Sequence, residues 1–139
     1  NEFTDFIYRH LHNDEIYDQL NYLNEILENF SHDEVRQHFF RPERSFHALP
    51  PPARYMEVEF EGNPLRLYCL YISNNMIFLF NGGIKTTDKA QDCQNVSKYF
   101  RDAERFTKMI DEGIRSGELI LDEGKQNIIN YEEAELWLT

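Results

Sequence analysis

A chain of 139 residues has the length of one ordinary domain, enough to bury a core and too short for two. A hydrophobic fraction of 41% with 14% aromatics excludes a disordered composition, and no run reaches the roughly 18–20 apolar residues of a membrane span. A net charge of −11 excludes a general nucleic-acid binder, because Lys and Arg supply most of that affinity by neutralising phosphate.

In chain order, Phe3, Phe6, Ile7 and Leu11 have helical spacing, with Thr4 as a cap. From Asp14 to Phe30 the residues Ile16, Leu20, Leu23, Ile26, Leu27 and Phe30 mark an amphipathic helix capped by Asn13 or Asp14. Ser31 with Glu34 has the capping-box pattern of a further short helix through His38. Pro50-Pro51-Pro52 fixes an extended connector that divides this helical part from the sheet. Met56, Val58 and Phe60 alternate with Glu57 and Glu59 as a half-buried strand, and Gly62-Asn63-Pro64 turns the chain. Leu65–Ile72 and Met76–Phe80, joined by Ser73-Asn74-Asn75, read as two adjacent central strands of a hairpin. Asn81-Gly82-Gly83 ends the second strand. A long helix runs from Val96 to Ser116-Gly117, followed by a short edge strand at Leu119–Leu121 and an acidic tail.

The expected fold is a single α+β domain. A helical part spans 1–40, a small antiparallel-rich sheet 53–92, a helix 96–116, and a short strand with the tail 119–139. Two cysteines, Cys69 and Cys93, without a CxxC or a regular framework, read as free thiols of a reducing compartment, hence a soluble cytoplasmic protein. The five histidines match no zinc spacing, and no cofactor or metal is expected.

The charge is unevenly spread. Residues 1–35 carry one basic against nine acidic side chains and 101–139 five against ten, whereas 36–100 carry eight against six. An anion-binding surface therefore belongs to the middle segment, where Arg41, Arg44, Arg54, Arg66, Lys85 and Lys89 lie with Tyr55, Tyr68, Tyr71, His38 and His47. Such residue types can stabilise charge on a scissile phosphate and move a proton from a 2′-hydroxyl. Arg66 stands alone in an apolar strand, where an unpaired ion costs several kcal/mol. It demands either an open pocket or an acidic partner, Glu57 or Glu59. Gly82-Gly83-Ile84-Lys85-Thr86 lacks the spacing of a nucleotide-binding P-loop.

Leu65-Arg66-Leu67-Tyr68-Cys69, Met76-Ile77-Phe78-Leu79-Phe80, Gly82-Gly83-Ile84-Lys85-Thr86 and Ala90-Gln91-Asp92 together resemble the RelE/ParE/HigB-like toxins of bacterial type II toxin-antitoxin modules. Members typically show a strand arginine, a hairpin and a Lys-Lys-Thr loop before a closing helix. Arg66 matches the strand arginine and Lys85 the second lysine, with Ile84 in place of the first. The resemblance spans roughly residues 14–121. It implies a small sheet flanked by N-terminal helices, metal-independent cleavage of mRNA on the ribosome, and neutralisation by an antitoxin. Within that frame Arg66, Lys85 and Arg54 are the expected catalytic cations, and Lys89, Arg44 and Arg41 the expected RNA-binding ones. The overall acidity supports a rival reading, a non-catalytic protein-binding domain that keeps the same fold.

Overall fold

The computed structural model describes residues 1–33, 35–56, 60, 64–86, 94–125 and 127–130. Its helices are α1 (Glu2–His10), α2 (Tyr17–Phe30) and α3 (Gln94–Ser116). Its strands are β1 (Arg41–Pro42), β2 (His47–Leu49), β3 (Leu65–Ser73) and β4 (Met76–Ile84), in one antiparallel sheet of order β1-β2-β3-β4. The chain is therefore α+β, with N-terminal helices, a central hairpin and a closing helix.

Alternation along β3 explains why nearly every position in it is apolar. Leu65, Leu67 and Cys69 enter a core with Phe6, Leu20 and Leu23 of the N-terminal helices, while Tyr68 and Leu70 enter a second core with Val96, Phe100 and Ala103 of α3. Both faces are thus covered, and each large side chain so buried contributes about 1.5–3 kcal/mol. On the α3 side, Phe46, Tyr68 and Phe100 meet edge to face, with ring centroids 5.0–5.8 Å apart. The buried Cys69 is a free thiol whose pKa is pushed far up by desolvation, so it stays protonated and unreactive.

Several boundaries differ from the sequence reading. Asn1, not Thr4, caps α1, its side chain accepting from the Thr4 N–H at 2.9 Å. Ser31 closes α2, with its hydroxyl on the Glu28 carbonyl at 2.6 Å, so no helix starts there; the next turn is a 3-10 segment, Gln37–Phe39. The sheet begins before the prolines rather than after them, because β1 and β2 are joined by a tight turn in which the Glu43 N–H donates to the Phe46 carbonyl at 3.0 Å. Only β3 is central. β4 lies at one end of the described sheet, where α1 packs against it. Leu119–Leu121 contributes one isolated bridge, Leu121 to Ile128, instead of a strand. The expected strand at Met56–Phe60, the turn at Gly62-Asn63-Pro64 and the tail from Tyr131 fall on or across positions outside the described residues.

Asn81-Gly82-Gly83 does not end β4, which continues to Ile84. The register steps from Leu67↔Gly82 to Cys69↔Leu79, so β4 holds one extra residue, a bulge. Asn81 occupies the bulge, buried, and α1 supplies its partners. Its amide donates to Glu2 at 3.0 Å and Asp5 at 2.8 Å, and its carbonyl oxygen accepts from the Arg9 guanidinium and from the Gly82 N–H at 2.8 Å. Arg9 also donates to the Gly82 carbonyl at 2.6 Å and lies 4.2 Å from the Tyr99 ring centroid, joining α1, β4 and α3.

Arg9→Ala removes these donors and is expected to cost about 1–3 kcal/mol in urea unfolding. The bond from Asn81, followed by that from Arg9, holds the Asp5 carboxyl below its usual value of 3.8. Its contribution is therefore present above the unfolded pKa and lost as pH falls through the lower folded one. The stability gap between wild type and Arg9→Ala should narrow in that acid range.

Candidate functional site

The α3-facing side of the sheet holds more than its apolar core. Arg66 is two residues from Tyr68 on β3, on the same face, and is registered opposite Gly83; Arg41 on β1 is opposite Ala48, itself opposite Tyr68. Lys85 follows β4, anchored by its N–H to the Pro64 carbonyl at 2.7 Å. Glu43, in the β1–β2 turn, feels the positive charges of Lys85, Arg66 and Arg41. Three of the six sequence-predicted cations thus act electrostatically on one carboxylate.

Burial dominates the electrostatics of this group. Desolvation lowers the Arg66 pKa to about 10, with the like charge of Arg41 acting in the same direction. Its guanidinium donates to its own Leu65 carbonyl at 2.9 Å. The suggested partners Glu57 and Glu59 lie outside the described residues. Arg41 is also lowered by desolvation, and its Nε donates to the Pro50 carbonyl at 2.9 Å, which fixes the side chain beside the proline connector. The Glu43 carboxyl is raised by desolvation, although Lys85, Arg66 and Arg41 all pull it down. A half-buried carboxylate of raised pKa near cations is the kind of group that can exchange protons.

The other candidates are elsewhere. Arg44, adjacent to Glu43, turns to α3, where it bridges Glu104 at 2.8 Å and lies 5.6 Å from the Phe100 ring centroid. Arg54 is exposed over the ring of its neighbour Tyr55, at 4.9 Å. Lys89 lies outside the described residues.

The nearby histidines are packing residues. His47 sits edge-on to Phe40 and Tyr71, its Nδ1 accepts from the Tyr71 N–H at 3.3 Å, and burial lowers its pKa, so it is neutral at pH 7. His38 rests against Phe39 and Tyr55. Among the described residues no group of three or more His, Cys, Asp or Glu is arranged to hold a metal ion, and no helix is long and apolar enough to cross a membrane.

Sequence reasoning missed Glu43. One signal could have found it: an acid set between Arg41 and Arg44 in the segment where basic residues prevail. Compared with protein-family models, curated proteins and solved structures, the chain matches none.

Proposed function

We propose that the chain is a toxin-type endoribonuclease that cuts mRNA on the ribosome, with Glu43 as general base and Arg66, Lys85 and Arg41 as the phosphate-binding cations. The observation that carries this reading is one half-buried carboxylate, Glu43, under the charge influence of Arg41 and Arg66 on the sheet and of Lys85 just after β4. In the proposed step Glu43 takes the proton of a ribose 2′-hydroxyl. The 2′-oxygen then bonds to the adjacent phosphorus, and the bond to the 5′-oxygen breaks. The products are a 2′,3′-cyclic phosphate and a 5′-hydroxyl, whose proton comes from water or Lys85. Arg66 and Arg41 neutralise the charge that builds on the equatorial oxygens, which protein donors stabilise best in a site of low dielectric. Substrate-assisted binding on the ribosome would offset the overall acidity, and an antitoxin would hold the enzyme inactive in the cytoplasm, as the resemblance of residues 39–92 implies.

The test is cell-free translation with added wild type or Arg66→Ala/Lys85→Ala, followed by mapping of 5′-ends on ribosome-bound mRNA. Cuts by the wild type and none by the double variant are expected. An intact message in both would favour the second reading, a protein-binding domain without catalysis. One observation already leans that way: Arg44, an expected RNA-binding residue, is engaged by Glu104.

A further inference from the structure

Beside α2, at the margin of the core that Phe30 and Phe39 pack against, lies a groove that the nuclease reading does not use. Tyr22, Ile26 and Phe30, at helical spacing on α2, form one wall; Phe39, Pro51 and Tyr55 form the other. It encloses about 210 Å³. A cavity of about 150 Å³ already accepts a benzene ring, so the groove has room for one large aromatic or aliphatic side chain. Its rim is acidic: Glu25 and Asp33, both exposed, line it alongside Asn29.

We infer that this groove docks a basic protein segment. The segment inserts one apolar side chain between α2 and the Phe39–Tyr55 wall and sets Lys or Arg against Glu25 and Asp33. Two features argue for this occupant. The anchor space suits a single buried hot-spot residue, the commonest source of affinity in helix-in-groove recognition. The rim belongs to residues 1–35, which carry one basic against nine acidic side chains, so a cationic partner is steered there and a nucleic acid is repelled. The inference stands whether or not the cluster at Glu43 cuts RNA.

The test is an amide-shift titration of the full chain with a synthetic amphipathic peptide of leucine and lysine carrying one tryptophan on its apolar face. Saturable shifts centred on Tyr22, Ile26, Phe30 and Phe39 are expected. Exchanging the peptide's tryptophan for serine, or making Glu25→Lys/Asp33→Lys in the protein, should weaken binding by roughly tenfold or more. Asp111→Lys/Glu112→Lys, on the exposed face of α3, should leave it unchanged. The inference is overturned by an absence of saturable binding, by equal weakening in both charge-reversal variants, by indifference to the tryptophan, or by a single-stranded oligonucleotide that shifts the same amides.

Discussion

On the proposed nuclease reading, Glu43→Gln is expected to lower mRNA cleavage by about 10²–10⁴-fold, the usual worth of a positioned general base, while the chain stays folded. The glutamine keeps the size of the side chain and gives up only the proton-accepting oxygen. The pH profile separates a base from a mere scaffold. Because burial raises the Glu43 pKa above its usual 4.5, wild-type cleavage should fall as pH drops through that raised value, when the carboxylate takes up a proton and can no longer accept one. The residual activity of Glu43→Gln should lack this acid limb. Stability should move oppositely. A carboxyl whose folded pKa is raised contributes fully below its unfolded pKa and loses that contribution as pH rises through the folded one. At neutral pH the ionised Glu43 is therefore a burden on the fold, and the uncharged amide should leave the melting temperature unchanged or higher. A large fall in melting temperature together with activity would place Glu43 among structural residues instead.

Gly82→Ala should be the more damaging of the two glycine-to-alanine changes in β4. A Cβ on Gly82 would stand 1.8 Å from the Arg66 carbonyl oxygen and 3.0 Å from the Leu67 Cα, both backbone atoms that cannot swing aside as a side chain would. β3 and β4 would have to separate at the bulge, where Asn81 and Arg9 hold the strands to α1. A loss of about 3 kcal/mol or more is expected, in the range reserved for strained backbone and broken buried networks. Equilibrium urea unfolding measures it. A loss below about 1 kcal/mol would mean that the two strands part at little cost. Since the displaced atom belongs to Arg66, cleavage should fall further than the unfolded fraction accounts for.

The parts of the fold readable in the sequence were those written in long periodic runs. The apolar spacing of α2 and α3 and the nearly continuous apolar run of β3 each repeat a pattern over several turns or pleats, so a single exception such as Arg66 does not hide them. β1 and β2 hold two and three residues, too few for any period, and their pairing rests on the Glu43–Phe46 turn and on β3. The two glycines of β4 misled for a physical reason. Glycine commonly marks a turn, but here it permits close approach of two backbones. The site was half legible. Arg66 stood out as an ion in an apolar strand, whereas Glu43 acquires its character from the burial that folding imposes on it, against the pull of the charges at positions 41, 66 and 85.

Helix α1 has a consequence for the solution behaviour of the chain. A strand at the end of a sheet offers a row of hydrogen-bonding groups to any other extended chain, and natural sheets commonly blunt that invitation with charge, bulges or a covering element. Here all three meet at one place: the bulge at Asn81, the guanidinium of Arg9 on the Gly82 carbonyl, and the body of α1 across β4. The first ten residues thus lie against the strand at this end of the described sheet. A nick or substitution that frees them is therefore expected to turn a problem of local packing into one of aggregation, which light scattering would detect.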